Sequence, residues 1–327
     1  MTMKRVIALM LGILLVCSVS LTACSTNNNS KVSKSDSTKN IRIGYQKNGP
    51  LIILKTRGTL EKRLKPLGIT VDWFEFQAGP ALLEALNAGS IDFGRTGDSP
   101  PIFAQASGSS LVYVGVGNPK SKGSGILVKN GSPIQTLADL KGKTIGFAKG
   151  SSSHYLLVEA LEEAGLALSD IKPAYLSPGD ARVAFEQNKI DAWIVWDPFT
   201  ADAEISADAH LLINGDGLTS DRDFFLSSSD FANHHGDLVT ILLEEIQSSC
   251  VWANENPAEL TEMLSSILKI DKASMQLAIS RRVYGLVDLD SNIIKEQQKI
   301  ADTFYDLKII PAKITIEERV NKLNSKE

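Results

Sequence analysis

The sequence has few of the residues that build metal sites, disulfide frameworks and nucleic-acid surfaces. Its 327 residues include three cysteines and four histidines, so widely separated that their spacing predicts no metal site. Lysine and arginine number 34 against 38 aspartates and glutamates, and no basic block occurs, which argues against a nucleic-acid partner. A G-x-x-x-x-G-K-[ST] phosphate loop is also missing, so ATP binding is not expected and no cofactor is indicated.

Long apolar runs are scarce as well. The most apolar stretch, VIALMLGILLVC, follows Lys4 and Arg5 and is too short to span a bilayer comfortably. It leads into LTAC, a small-residue cleavage site ending in Cys24. This pattern is typical of a bacterial lipoprotein signal, and we predict a signal peptide over 1–23 with a lipid on Cys24. An ordinary signal peptide with an incidental cysteine is the alternative.

The polar segment 24–40 has no apolar periodicity and is predicted to be a flexible tether. With the lipid at its start, the tether would hold the protein at the outer face of the cytoplasmic membrane. That face is the periplasmic side if the cell has an outer membrane.

From Ile41 onward, strand-like and helix-like segments alternate, which predicts an α/β fold. The order then repeats about a hundred residues later, where TIGFAKG matches RIGYQKN. ALNAGSIDFGRTGD also aligns with AFEQNKIDAWIVWD without a gap, placing Asp98 on Asp197. We therefore expect two lobes that each follow the same βαβαβ path.

Asp98 and Asp197 each end a strand and precede a helix start that carries proline. This is the pattern of helix N-caps, and capping alone would account for either aspartate; ligand contact is the alternative. Ligands of open α/β sheets lie beyond the carboxyl ends of the strands. The loops YQKNGP, RTGDSPP, AKGSSSH and VWDPF are therefore predicted to meet in a cleft between the lobes.

Three consecutive hydroxyls, Ser151, Ser152 and Ser153, begin the helix that ends at Gly165. The start of a helix offers unpaired amides and a partial positive charge, which favour an anion. Amides and hydroxyls together suit a sulfonate, which has several acceptor oxygens and needs donors more than a full counter-charge. Sulfate, nitrate, phosphate or a carboxylate would also fit, and a simple cap with two solvated serines is the alternative.

Aromatic residues favour an organic anion. Trp193 and Trp196 lie three apart on one strand and therefore face opposite sides of it, so one is expected in the core and Trp196 at the opening. His154 is expected to pack or to face solvent, since its neighbours suggest no catalytic arrangement. Arg95 is expected to face solvent, with steering of anions as the alternative.

The sequence resembles the aliphatic-sulfonate-binding proteins of bacterial ABC importers over most of 41–311. The resemblance is carried by IRIGYQKNGP, FQAGPALLEALNAGSIDFGRTGDSPPIFAQA, LVYVGV, DLKGKTIGFAKGSSSHYLL, SPGDARVAFEQNKIDAWIVWDPF and ADTFYDLKIIP. It implies a bilobal type II periplasmic-binding-protein fold, with a mixed sheet in each lobe and a cleft between them. The implied ligand-binding residues are Gln46, Thr96, Gly97, Asp98, Ser151, Ser152, Ser153, Trp196 and Asp197. Arg95 stands where such proteins more usually carry a small residue.

The resemblance also implies the division of the chain. The first lobe would comprise 41–126 and 226–327, and the second 127–225. A hinge of two crossovers is expected near Ile126–Lys129 and Arg222–Ser227. The consecutive helices predicted after Phe231 would pack on the first lobe and offer a surface to a permease.

The implied function is capture of an aliphatic sulfonate by a monomeric, non-catalytic protein that docks on an ABC permease driven by an ATPase. Binders of taurine, nitrate or a thiamine precursor share the same frame and stay as alternatives. An enzyme on this frame is a further alternative, but no nucleophile or general base with suitable partners is evident in the cleft loops.

Overall fold

The computed structural model describes residues 38–321. The predicted signal peptide, Cys24 and most of the predicted tether lie outside these residues. The first strand begins at Asn40, so the last residue assigned to the tether belongs to the fold. Across the described part of the chain, no helix is both long enough and apolar enough to cross a bilayer.

The described strands form two mixed sheets. The first has the order β11-β4-β10-β3-β1-β2 and the second the order β7-β6-β8-β5-β9. In chain order, the strands are β1 (Asn40–Tyr45), β2 (Thr70–Glu75), β3 (Phe93–Thr96), β4 (Leu111–Gly117), β5 (Ser124–Lys129), β6 (Thr144–Phe147), β7 (Lys172–Tyr175), β8 (Ala192–Trp196), β9 (Ala209–Asn214), β10 (Phe224–Ser228) and β11 (Leu286–Val287). The predicted pair of mixed-sheet lobes is confirmed.

Helices cover both sheets and follow the strands in the predicted alternation. In chain order, they are α1 (Pro50–Arg57), α2 (Thr59–Leu64), α3 (Gly79–Asn87), α4 (Ser99–Ala106), α5 (Ser152–Glu163), α6 (Pro178–Glu186), α7 (Phe199–Ser206), α8 (Ser229–His234), α9 (Gly236–Glu255), α10 (Pro257–Leu268), α11 (Lys272–Ser280) and α12 (Ser291–Asp306).

The internal repeat is visible in the sheets. In the first lobe β1 pairs in parallel with β2 and β3, and in the second β6 pairs in parallel with β7 and β8. The ungapped alignment also places Asp92 on Asp191, and these two aspartates make the same contact in their lobes. Asp92 Oδ2 accepts the amide of Arg42 at 2.8 Å, and Asp191 Oδ2 accepts the amide of Thr144 at 2.7 Å. Each carboxylate thus joins the third strand of its repeat to the first.

The predicted positions of the two crossovers are wrong by a few residues. Ile126–Lys129 lie inside β5, which is hydrogen-bonded to β8 and β9 of the second sheet. Likewise, β10 begins at Phe224 and pairs with β3 and β4 of the first sheet. The connections between the sheets are therefore 118–123 and 215–223. The sequence-based assignment failed because an apolar strand looks the same in either sheet.

The C-terminal helices pack on the first lobe, as predicted. Leu242 and Ile246 of α9 and Leu260 of α10 are buried in one cluster with Ile41 of β1 and Phe225 of β10. Burying these apolar side chains removes them from water and stabilises the lobe.

The lobes touch on both sides of the cleft. On one side, the ring of Phe304 in α12 contacts Tyr155 of α5 edge to face, with centroids 5.8 Å apart. On the other side, Ser274 Oγ of α11 donates to Asp202 Oδ1 of α7 at 3.2 Å. The cleft is therefore bounded at both ends by contacts between the lobes.

Candidate ligand-binding site

A cavity lies between the lobes where the four predicted loops meet; we call it the first cavity. It encloses about 290 Å³ of empty space, part of which is open to solvent. The β1–α1 and β3–α4 loops contribute from the first lobe, and the start of α5 and the end of β8 from the second. The lining residues are Gln46, Asn48, Gly79, Arg95, Gly97, Pro100, Lys120, Ser151, Ser152, Trp196 and Asp221.

Most of the predicted binding residues lie here or beside it. Five of them line the first cavity, namely Gln46, Gly97, Ser151, Ser152 and Trp196. Asp197 lines an adjoining space, the second cavity, whose residues are Asn48, Lys120, Gly123, Ser124, Trp196, Asp197, Asp221, Ala278 and Arg282. Thr96, Asp98 and Ser153 line neither cavity. All three are buried, and each is next in sequence to a lining residue.

Ser151 and Ser152 form the edge of the first cavity at the start of α5. Ser151 is the N-cap residue in an extended conformation, but its hydroxyl donates to the carbonyl of Ala148 at 2.7 Å instead of capping the helix. Its oxygen can therefore accept, while donation to a ligand falls to the amides of Ser152 and Ser153 in the first turn, which have no acceptor within the helix. The dipole of the helix adds a partial positive charge at the same place.

The serine loop meets the first lobe at Gly97. A Cβ atom added to Gly97 would lie 2.1 Å from Ser152 Oγ, so these two segments approach as closely as glycine allows. Ser152 also hydrogen-bonds to the carboxyl group of Asp98. Burial, and then the neighbouring Asp221 carboxylate, raise the pKa of Asp98 to about 6. The predicted capping role of Asp98 is wrong, because its side chain accepts no amide of α4.

Ser153 is turned away from the cavity. Its side chain is 1% exposed, and its Oγ has no hydrogen-bond partner among residues 38–321. Ser152 and Ser153 are consecutive residues of the helix, so their side chains leave it about 100° apart and point to different sides. Thr96 is also buried, and its hydroxyl donates to the carbonyl of Gly97 at 3.0 Å.

Arg95 does not face solvent, and that expectation is wrong. The residue is 2% exposed and lines the first cavity. Its guanidinium donates to Asn48 Oδ1 at 2.8 Å and forms an ion pair with Asp223. Gly49 permits this position, because a Cβ atom there would lie 2.8 Å from the guanidinium carbon.

Charged residues from the connections between the sheets complete the site, and the sequence analysis missed them. Lys120 Nζ lies 2.6 Å from Asp221 Oδ1 and 3.6 Å from Asp223 Oδ1, and Arg282 lies 2.8 Å from Asp223 Oδ2. Burial alone would raise the pKa of Asp223, but the surrounding cations Arg95, Arg282 and Lys120 hold it well below its usual range. Neither connection belongs to the internal repeat, so no pattern pointed to these residues.

The two tryptophans of β8 lie as predicted. Trp193 is fully buried against Phe185, with ring centroids 5.9 Å apart, whereas Trp196 lines both cavities. Asp197 follows it and accepts the amide of Ala201 in the first turn of α7 at 3.0 Å, as predicted for a cap, although Pro198 holds the N-cap position itself.

His154 packs, as expected. It is buried next to the rings of Phe103, Phe147 and Phe304, at centroid distances of 5.9, 5.0 and 5.5 Å. Burial, with a smaller contribution from Lys149, lowers the pKa of His154 to about 4, which keeps the ring neutral at pH 7. In residues 38–321, no group of three or more His, Cys, Asp or Glu side chains is placed to hold a metal ion.

Comparison with known proteins places this chain in a family. The family model described as NMT1/THI5 like matches residues 65–260. An aliphatic-sulfonates-binding protein of Escherichia coli (strain K12) is 40% identical over 291 residues, which are 88% of this chain and 91% of that protein. The solved structure of the alkanesulfonate-binding protein SsuA from Xanthomonas axonopodis pv. citri, bound to MOPS, is 40% identical with a TM-score of 0.84. The match covers 86% of this chain and 98% of that one.

The fold reaches beyond binding proteins. The desulfurization enzyme DSZB has a TM-score of 0.64 at 13% identity, over 88% of this chain and 98% of that chain. Identity this low shows a shared fold alone. The family match and the 40% relatives are far more specific. This chain belongs to the aliphatic-sulfonate-binding proteins, within the NMT1/THI5-like family of the bilobal periplasmic-binding-protein fold.

Proposed function

We propose that this protein captures aliphatic sulfonates outside the cytoplasm and delivers them to an ABC permease and its ATPase. The observation that carries the proposal is the first cavity, where the start of α5 faces Arg95 and Lys120 across the cleft. The amides of Ser152 and Ser153 at the helix start would donate to the sulfonate oxygens. Trp196 would cover the carbon chain.

More charged side chains line this site than the sequence analysis predicted. The sequence favoured neutral donors, but Arg95 and Lys120 also line the first cavity. Both are already paired with buried carboxylates, Asp223 and Asp221. A sulfonate would therefore meet cations that are largely balanced, and hydrogen-bond donation stays essential to the proposed binding.

Titration calorimetry with ethanesulfonate tests the proposal. Replacing Ser151 and Ser152 together with alanine removes two lining hydroxyls, and we expect affinity to fall by about tenfold or more. Ser90→Ala is the matched control, because Ser90 is exposed in the turn before β3. Unchanged affinity in the double variant would overturn the assignment of the serines.

The nature of the anion is tested by a ligand panel. Ethanesulfonate should raise the melting temperature more than sulfate or nitrate, because only the sulfonate carries a carbon chain for Trp196. A larger shift with nitrate, or with a thiamine precursor, would favour the corresponding alternative binder.

We also propose that the protein has no catalytic role. His154 is enclosed by aromatic rings and lines neither cavity, and Cys250 is buried in the core of the first lobe. Incubating the protein with ethanesulfonate and recovering the ligand unchanged by mass spectrometry is the corresponding test. Release of sulfite would contradict the proposal.

Membrane attachment is a separate proposal that rests on Cys24. A monomer with a lipid on Cys24 would stay at the membrane near its permease. Metabolic labelling with a fatty acid should mark the native chain but not Cys24→Ser, which should appear in the soluble fraction. Labelling of both would contradict the assignment.

A further inference from the structure

A carboxylate of the chain itself lies beside the proposed anion site. Asp221 belongs to the connection 215–223 between the sheets, and it lines both cavities. A Cβ atom added to Gly97, which would meet Ser152 Oγ, would also lie 3.5 Å from Asp221 Oδ1. After burial, the charge of Asp221 is the largest cause of the raised pKa of Asp98. One negative charge is therefore already present next to the start of α5, where the sulfonate is proposed to bind.

Lys120 is the cation that faces this carboxylate. Its Nζ lies 2.6 Å from Asp221 Oδ1 and 3.6 Å from Asp223 Oδ1. The nearer contact is close but does not have the geometry of a hydrogen bond, so Asp221 Oδ1 has no hydrogen-bond donor among residues 38–321. The Lys120 side chain is 9% exposed, against 2% for Arg95. Of the two cations that line the first cavity, Lys120 is thus the more accessible to a ligand.

The neighbouring cations are held more firmly. Arg95 donates to Asn48 Oδ1 at 2.8 Å and also to Asp223. Arg282 donates to Asp223 Oδ2 at 2.8 Å. Asp223 is therefore fixed between two guanidinium groups by hydrogen bonds, whereas the Lys120 ammonium is paired with carboxylates by charge alone. An anion that enters the first cavity can take over Lys120 without breaking a well-aligned hydrogen bond.

The backbone of Asp221 is in a conformation that its contacts must maintain. Its φ of 44° lies in the left-handed region, which residues other than glycine seldom adopt. Such a conformation is costly and persists where the surrounding contacts hold it. Asp221 Oδ2 accepts the hydroxyl of Ser124, and Oδ1 faces Lys120. These two contacts keep the carboxylate against the lining of the cavities.

We propose that the Asp221 carboxylate competes with the sulfonate for Lys120 and thereby limits the affinity of the site. The inference rests on the proposed capture of sulfonates and names the residue that regulates it. With the sulfonate at the amides of Ser152 and Ser153, one of its oxygens replaces Asp221 Oδ1 beside Lys120, while Asp221 Oδ2 keeps the hydroxyl of Ser124. When the lobes open, the carboxylate returns to Lys120 and favours release of the ligand to the permease.

Asp221→Asn tests the competition, because it keeps the size of the side chain and removes its charge. Asparagine also tolerates the positive φ at this position. The nearest carboxylate to Lys120 is then Asp223 at 3.6 Å, and ethanesulfonate should bind about tenfold more tightly in calorimetry at pH 7.5. If the carboxylate only supported the fold, its replacement would lower the affinity instead.

A second variant and a matched control accompany this test. Asp221→Gly removes the carboxylate and adopts the positive φ without strain, so it should also bind ethanesulfonate more tightly even if Asp221→Asn fails to fold. Asp216→Asn is the control. Asp216 lies in the same connection, 4.0 Å from Lys122 Nζ, but both side chains are exposed and line neither cavity. Its replacement should leave the affinity unchanged.

Two further measurements show whether the gain depends on Lys120. Adding Lys120→Met to Asp221→Asn should return the affinity to the native value or below it. In Asp221→Asn, chloride can also take the position beside Lys120, so the affinity should fall more steeply with increasing sodium chloride than in the native protein. A purely structural effect would leave the salt dependence unchanged, and that result would contradict the proposal.

The outcomes separate the two proposals. If neither the native protein nor any variant binds ethanesulfonate, the proposed capture of sulfonates itself fails. If the native protein binds and both Asp221→Asn and Asp221→Gly bind no more tightly, the function stands and the competition is overturned. A full gain that persists after Lys120→Met is added would also overturn it, because the carboxylate would then act by repulsion and not through the lysine.

Discussion

The segments that follow the third strand of each repeat can be compared residue by residue; we call them the first and second exits. Asp98 follows β3 in the first lobe, and Asp197 holds the matching position after β8 in the second. Asp98 is fully buried, does not cap its helix and hydrogen-bonds to Ser152 of the other lobe. Asp197 caps its helix through the Ala201 amide and lines the second cavity.

Each exit meets the first loop of the opposite lobe. Ser152, from the second lobe, closes on Gly97 and Asp98 of the first. Asn48, from the first lobe, donates to the main-chain carbonyl of Asp197 at 3.3 Å. The repeat thus builds two equivalent contacts across the cleft. Asp98 is sealed in the interface, whereas Asp197 lines the second cavity.

The contact between the lobes at the first exit can be disrupted at Gly97. In Gly97→Ala, the new Cβ would meet Ser152 Oγ at 2.1 Å and hold the lobes apart. We expect sulfonate affinity to fall about 10- to 100-fold, the usual effect of overpacking a tight contact. Calorimetry gives the affinity, and small-angle X-ray scattering should show that the ligand no longer compacts the protein.

Gly179→Ala is the matched control for this variant. Gly179 in α6 also faces the other lobe, but a Cβ atom there would lie 3.6 Å from Gln77 Oε1, an ordinary contact. Affinity should therefore be unchanged. Equal loss in both variants would mean that any added methyl group between the lobes prevents closure, and Gly97 would have no special role.

The burial of Asp98 can be tested through the pH dependence of stability. Folding raises its pKa from 3.8 to about 6, so the folded protein binds more protons than the unfolded chain between these values. Stability is therefore lost as the pH rises through this window. Asp98→Asn removes that loss, and its free energy of unfolding should exceed that of the native protein by about 1–2 kcal/mol above pH 6.

Denaturant unfolding at several pH values between 4 and 7.5 measures this difference, which should vanish at the acidic end. Asp197→Asn should flatten the same window, because the pKa of Asp197 is also raised to about 6. Ligand binding separates the two, since Asp197 lines the second cavity and Asp98 lines neither. A larger loss of ethanesulfonate affinity in Asp98→Asn than in Asp197→Asn would contradict the contrast between the exits.

Much of the fold could be predicted because it follows from local patterns. Alternation of apolar segments gave the strands, and the ungapped match that pairs Asp92 with Asp191 gave the repeat. Both aspartates bind the amide at the start of the first strand in their lobe. The position of the cleft could be predicted from the loops that follow these strands, because the carboxyl ends of parallel strands share one edge of a sheet.

Arg95 and Lys120 could not be placed in this way. Arginine at a strand end is usually exposed, and burial becomes acceptable only through Asp223, a residue on a distant connection. Lys120 depends on Asp221 in the same connection. Such pairings depend on how the two lobes are joined, and no local pattern records them.

The contact between the lobes at the second exit can be weakened at Asn48. Asn48→Ala loses the donation to the carbonyl of Asp197, a hydrogen bond between the lobes, and the oxygen that accepts from Arg95 at 2.8 Å. We expect ligand to dissociate about fivefold faster with little change in association rate, because the lost donation joins the two lobes around the cavity. Stopped-flow kinetics measures both rates. Asn130→Ala is the control, since Asn130 bonds to Asp208 within the second lobe; a slower association in Asn48→Ala would instead indicate a role in ligand entry.

The smallest effect is expected at Ser153, the serine that the sequence grouped with Ser151 and Ser152. Its hydroxyl is buried, has no partner in the described chain and faces neither cavity. Ser153→Ala removes an unsatisfied polar group and adds a better helix former, so stability should rise by no more than about 1 kcal/mol. Sulfonate affinity should stay within about twofold of the native value, against the tenfold loss expected when Ser151 and Ser152 are both replaced. A loss of affinity in Ser153→Ala comparable to that of the double variant would mean that the start of α5 rotates when a ligand binds. The orientation of Ser153 described above would then not apply to the ligand-bound protein.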